Sequence, residues 1–202
     1  MEGDDGRLFS PSAARNREPI LQVLRRMLPV RGLVLEIAGG SGEHVVHFAA
    51  GLPGLEFQPT DPDPAAVASI AAWIAHAGLG NVRAPVLFDV CDATIPVAAA
   101  DAVVCINMIH IAAPEATPAL IGHAAQMLSK GGPLVLYGPF RCAGVATAAG
   151  NEEFDASLKQ RDPRWGLRWL EDVAAMARDA GFSGPEIVEM PANNLCVVFA
   201  KV

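Results

Sequence analysis

Two spacings of apolar residues alternate along the chain. From Ser12 to Leu28 they recur at helical intervals (Ile20, Val23, Leu24, Met27, Leu28), and Pro29 closes the run. Gly32–Ala38 is a short apolar strand, and the turn Gly39-Gly-Ser-Gly42 leads into a helix from Glu43 to about Ala50. Leu55–Thr60 reads as a second strand and Pro64–Ala77 as an alanine-rich helix, with Pro64 suited to its first turn and Gly78 to its end. Val86–Val90 is a brief third strand, Ala102–Ile106 a fourth, Pro118–Leu128 a helix and Pro133–Tyr137 a fifth strand. The rhythm breaks over residues 139–166, where a short helix at Glu153–Lys159 is the one element expected. A helix over Leu170–Ala180 precedes two strands, Pro185–Glu189 and Leu195–Lys201, whose tight link reads as a hairpin.

Strands alternating with helices predict an α/β fold: a single Rossmann-like domain with a doubly wound sheet of about seven strands. The sheet should be mostly parallel, with an antiparallel strand at the C-terminal end. Residues 1–11 are expected as a flexible lead, 12–202 as the domain, and 139–168 as a lid over a substrate. A chain of 202 residues suits one such domain. At 51% hydrophobic and 18% charged residues it is not disordered. A net charge of −7 argues against a nucleic-acid partner. Arginines nevertheless cluster at Arg15, Arg17, Arg25, Arg26 and Arg31 and again at Arg161, Arg164 and Arg168, which leaves an anionic small substrate open. The four cysteines are widely spaced, as suits a reducing compartment. The acidic start MEGDDGRLF lacks a secretion signal's apolar stretch, and no apolar run is long enough to span a bilayer. A cytoplasmic protein without a membrane partner is expected.

The glycine turn after the first strand lets backbone approach a nucleotide. A dinucleotide-binding loop would carry a third glycine where Val45 stands. Glu36, just ahead of the glycines, would repel a pyrophosphate and attract an ammonium or sulfonium, so the loop favours a cationic, unphosphorylated cofactor tail. His44 and His47 have metal-binding spacing, but no further cluster completes a site; they read as a helix packed behind the loop, and no metal is expected. His110 follows the fourth strand, at the sheet end where ligands bind in open α/β folds. With an unperturbed pKa of about 6.5 it is the candidate catalytic base. Tyr137, Phe140 and Arg141 end the fifth strand and are expected to face the same cleft, joined by Asn193 from the hairpin. Arg164 and Trp165, with Arg161, are candidate substrate contacts on the lid; the competing reading is an insertion knit by its own ion pairs.

The segment Leu33-Val-Leu-Glu-Ile-Ala-Gly-Gly-Ser-Gly42 resembles the first motif of class I S-adenosylmethionine-dependent methyltransferases, with Ala38 where the first glycine normally stands. The resemblance implies that Glu36, Ala38, Gly39, Gly40 and Gly42 hold the cofactor. It places Asp61 on the ribose hydroxyls, Asp89 on the adenine amino group, Val90 against the ring and Asn107 near the amino-acid portion. In such enzymes the N-terminal helix often closes over the cofactor. Arg17 would then pair with the cofactor carboxylate and Asn16 would face the substrate. Ser10–Pro19, Ile106–Ile111, Tyr137–Phe140 and Glu189–Leu195 look like a bacterial methyltransferase family known mainly as a domain of unknown function, with eukaryotic methyltransferase-like relatives. The resemblance implies methyl transfer from S-adenosylmethionine to an oxygen, sulfur or nitrogen of a small polar molecule, by in-line displacement. The alternatives are a non-catalytic cofactor-binding or scaffold protein on the same fold and, disfavoured by Glu36 and Val45, an NAD(P)-dependent oxidoreductase. The sequence names neither the acceptor nor the oligomeric state.

Overall fold

A computed structural model describes residues 6–202; residues 1–5 of the expected lead lie outside the described residues. The chain runs α1 (Pro11–Met27), β1 (Gly32–Ile37), α2 (Glu43–Gly51), β2 (Leu55–Asp61), α3 (Pro64–Ala77), β3 (Val86–Leu87) and β4 (Ala102–Ile106). It continues with α4 (Ala116–Met127), β5 (Pro133–Gly138), α5 (Ala149–Arg161), α6 (Leu170–Asp179), β6 (Phe182–Met190) and β7 (Asn194–Lys201). One seven-stranded sheet has the order β3-β2-β1-β4-β5-β7-β6. Only β7 runs against its neighbours, so the expected doubly wound sheet with one antiparallel C-terminal strand is what forms. The strand order reverses between β1 and β4, and such a switch point opens a crevice at the strands' carboxyl ends.

Successive strand residues point to opposite faces, and both faces are covered. Leu35, Val103 and Leu136 share one cluster with Leu120 and Ile121 of α4 and Val173 of α6. Val34, Val104 and Val135 share the other with Leu24 of α1, Phe48 of α2 and Ile70 of α3. Glu36 and Tyr137 belong by alternation to the α1/α2 side.

Three elements differ from the sequence expectation. β3 is only two residues long: Val86 pairs with Thr60 and Leu87 with Asp61 before the chain turns away over Asp89. β6 begins at Phe182 and carries a register irregularity between Ser183 and Glu186, which hides its period from the sequence. α5 is thirteen residues long, although only Asp155 and Leu158 on it are buried, so no apolar stripe announces it. It is moored instead by Arg141, described below. Residues 7–10 are pinned on α3: Leu8 N–H donates to Ser69 Oγ at 2.8 Å, and Trp73 Nε1 donates to Leu8 O at 2.9 Å. Phe9 meets the Trp73 ring edge-on at 5.2 Å, and the Ser10 side chain caps α1 by accepting from Ala13 N. Among the described residues no helix is long and apolar enough to cross a membrane.

Candidate active site

Beyond Ile37 the backbone turns through the left-handed region at Ala38 (φ 57°), Gly40 (φ 60°) and Gly42 (φ 93°). Gly42 has no room for a side chain, because a Cβ there would sit 2.8 Å from Ile70 Cα. At Gly40 nothing lies within 4 Å of a Cβ position, so that side of the turn is open to a ligand. Ala38 holds this conformation with a methyl attached, at a cost of roughly 1–2 kcal/mol. The turn is laced to β2: Gly39 N–H donates to Thr60 O and Gly40 N–H to Asp61 Oδ2, both at 2.8 Å.

A cavity of about 370 Å³ opens over this turn, with Ala38, Gly40, Asp61, Asp89, Val90 and Trp165 in its wall. Asp61 accepts from Gly40 N through one oxygen and from Asp63 N through the other, which leaves one lone pair on each for hydroxyl donors. Burial pushes its carboxyl above the usual range despite those bonds. Asp89 is exposed and accepts from Cys91 N at 2.9 Å. Beneath the turn Glu36 is buried, and its Oε2, 2.7 Å from where a Cβ on Gly39 would lie, has no hydrogen-bond partner. Burial, and secondarily the charge of Asp61, raises its pKa to about 8. A buried carboxyl left unpaired costs free energy that an approaching cation or N–H donor returns. No lysine or arginine lines this cavity, while two aspartates do. The arrangement therefore fits a group with hydroxyls and a cationic tail and opposes a pyrophosphate.

A second cavity of about 490 Å³ lies on the other side of Asn107, bounded by Arg15, Asn16, Tyr137, Phe154 and Asn193. Asn107 is itself left-handed (φ 62°) and turns the chain out of β4 between the two spaces. Among the described residues no aspartate or glutamate lines this second cavity. Asn16 Oδ1 meets His44 Nε2 at 2.8 Å, and the Asn16 amide, turned toward the Tyr137 hydroxyl, partly offsets the rise that burial imposes on that group's pKa. Burial and the charges of His47 and Arg17 hold His44 down to about 4, so it is neutral. His47 bonds Glu18 at 2.9 Å, so the two histidines of α2 serve to dock α1.

Arg17, expected at the cofactor carboxylate, lines neither cavity, whereas Arg15 lines the second. Ser12, Arg15 and Asn16 stand at helical spacing on one face, and that spacing is the signal by which Arg15 was identifiable. The structure also separates several other expected site residues from the cleft. His110 is fully buried and lines neither cavity. Its Nδ1 accepts from Arg168 N at 3.3 Å and its carbonyl from Gly166 N at 2.9 Å. Its Nε2 packs on Gly138, where a Cβ would come within 2.5 Å, and has no partner. Burial, helped by the Arg168 charge, lowers its pKa to about 3. Phe140 is buried against that ring, edge-on at 4.9 Å. Arg141 is occupied by Glu152 at 2.6 Å, Asp155 at 3.0 Å and Thr147 at 3.2 Å, and so holds α5 in place. Arg164 pairs with Asp162 and Glu115 at the surface. Trp165, with Arg161 over its ring at 4.8 Å, lies in the wall of the first cavity. Among the described residues no group of three His, Cys, Asp or Glu side chains is placed to hold a metal.

Residues 7–201 match the family model described as "Protein of unknown function (DUF938)". The fold is shared with solved methyltransferase structures. An O-methyltransferase family protein from Burkholderia thailandensis superposes with a TM-score of 0.80 at 22% identity, over 94% of this chain and 57% of that one. Human N-acetylserotonin methyltransferase in complex with SAM gives 0.77 at 16% identity, over 94% and 52%. An O-methyltransferase family 2 protein from Planctomyces limnophilus in complex with apigenin gives 0.75 at 17%, over 95% and 60%. The chain thus spans a little over half the length of these structures, from 52% to 60%.

Proposed function

The chain belongs to the DUF938 family, and we propose that it is an S-adenosylmethionine-dependent methyltransferase acting on a small polar molecule. The observation that carries the reading is the buried Glu36 carboxyl, whose Oε2 has no partner among the described residues, set under a glycine turn beside the cavity that Asp61 and Asp89 line. Glu36 receives the ammonium of the cofactor's amino-acid end, Asp61 the ribose hydroxyls and Asp89 the adenine amino group, with Val90 and Trp165 against the ring. When bound, the cofactor supplies a methyl carbon activated by a neighbouring positive sulfur. The protein's work is then to align an acceptor with that carbon and to exclude water. Asn16, Tyr137 and Asn193 orient the acceptor in the second cavity, which Asn107 also lines while its neighbours Ile106 and Met108 line the first. Burial keeps the Tyr137 hydroxyl protonated, so it serves as a hydrogen-bond donor.

His110 is sealed from both cavities, so the proposed reaction uses no histidine base. It suits an acceptor that already presents a lone pair: an amine, a thiolate or an ionised oxygen. His110 acts as a positioning residue that straps residues 166–168, and with them Trp165, onto the turn after β4. Calorimetry with S-adenosylhomocysteine and with NADH tests the reading. Heat with the first, lost or strongly weakened in Glu36→Gln, supports it; binding of NADH alone overturns it.

A further inference from the structure

The wall formed by the β6–β7 hairpin and the start of α5 has space on both sides. On its far side lies a third cavity of about 290 Å³ that shares Asn151, Asn193 and Asn194 with the second. The partition includes a hydrogen bond from Asn151 Nδ2 to Asn193 O at 2.9 Å. Asn193 and its neighbour Ala192 both sit in the left-handed region (φ 56° and 57°), so the partition stands on strained backbone. The two chambers differ in chemistry. The first carries Ser12, Arg15, Asn16, Asn107 and Tyr137, with Arg15 its one charged side chain among the described residues. The other is walled by Phe140, Val145, Ala146, Ala148, Met190 and Leu195. Its polar side chains are Cys142, Thr147, Asn151, Glu189, Asn193 and Asn194. Thr147 Oγ1 is taken by Arg141, the Asn151 amide by Asn193 O and the Asn194 amide by Pro191 O and Ala192 O, and Glu189 stands exposed at the rim, where it would turn an anion away. Val145 is 66% exposed although it borders this chamber, beside Phe140, Met190 and Leu195.

We infer that the chamber behind Asn151 and Asn193 is an acceptor-tail subsite: the acceptor is an amphipathic small molecule whose anionic or neutral polar head lies beside Arg15 and whose apolar tail displaces the Asn151–Asn193 bond. The inference rests on the methyltransferase reading only for calling the molecule an acceptor. The chamber itself is tested with straight-chain carboxylates of four to ten carbons, titrated into the protein saturated with S-adenosylhomocysteine and into the protein alone. Each added methylene should tighten binding about three- to fourfold until the chamber is full, after which the gain stops. In Ala148→Phe the gain should stop at a shorter chain, and in Val145→Asp, a surface change that leaves folding intact, long chains should lose roughly tenfold while the shortest keep their affinity. Asn151→Ala should favour long chains over short ones. Affinity independent of chain length, a slope unmoved by Ala148→Phe and Val145→Asp, or no binding by any of these carboxylates overturns the inference. Failure of S-adenosylhomocysteine to bind overturns the methyltransferase reading instead, and the titration of the protein alone still decides the chamber.

Discussion

The backbone N–H of Gly40 donates to Asp61 Oδ2 at 2.8 Å, so the turn leaving β1 and the acid ending β2 move as one piece. Asp61→Ala strips an acceptor from both Gly40 N and Asp63 N. It should destabilise the protein by about 2–3 kcal/mol and weaken S-adenosylhomocysteine at least tenfold. Asp61→Asn, which keeps one acceptor oxygen, should fall between. Thermal melts and calorimetry on the same samples separate the two effects.

Stability should peak slightly below neutral pH. His44 and His110 are held near 4 and 3 in the folded chain, against about 6.5 when unfolded. The unfolded state therefore binds more protons, and stability is lost as pH falls below about 6.5. Glu36 has the opposite sign. Its folded value of about 8 exceeds the unfolded value of about 4.3, so its contribution is full at low pH and is lost as pH rises toward 8. Denaturant midpoints from pH 4 to 9 should show both slopes, and Glu36→Gln should remove the Glu36 part of the decline toward pH 8, leaving the part at the alkaline end that comes from the raised Cys105 and Cys196 thiols.

Cofactor binding should release a proton at pH 7. Glu36 is protonated there in the free protein and must ionise to face an ammonium. Calorimetry in phosphate and in Tris should therefore give different apparent heats, with release approaching one proton at pH 7 and vanishing above pH 9. Identical heats in both buffers would remove Glu36 from the cofactor site.

Ala38→Gly should stabilise the fold. Relief of the left-handed strain outweighs the extra unfolded-state entropy of glycine by about 0.5–1 kcal/mol. At this chain length the melting temperature should rise by about 2 °C.

Arg141→Met should unmoor α5. Asp155 keeps Lys159 and the Leu167 N–H after the loss of the guanidinium, so the global cost should be about 2 kcal/mol, under the usual penalty for a broken buried pair. Limited proteolysis should then cut within 144–166 before the sheet unfolds.

The residues proposed to hold the cofactor can be named from the sequence because they sit at fixed offsets from strand ends. Glu36, Gly40, Asp61 and Asp89 are each placed by local chain direction once the strands are found. The other residues are set by partners far away in sequence. Arg141 looks like a cleft residue until Glu152 and Asp155 are seen to claim it. His110 has the position of a base, yet Gly138, Phe140 and Arg168 close over it. Trp165 reads as a lid contact to substrate, and the strap at Gly166 and Arg168 holds it in the wall of the cavity over the glycine turn. No periodicity encodes such pairings, and α5, with two buried residues, offers almost none.

The walls of the two main cavities come from different stretches of chain. All but Trp165 of the cavity proposed for the cofactor is drawn from residues 37–116, whereas the cavity proposed for the acceptor, Asn107 aside, is assembled from α1, the end of β5, α5 and the hairpin at 191–194. Substitutions that reshape what is methylated can therefore accumulate at both ends of the sequence without disturbing the cofactor. In a set of related chains, acceptor preference should drift with residues 12–16, 150–154 and 191–194 while residues 36–61 stay constant. A laboratory search for new acceptors should confine its mutations to those three short windows.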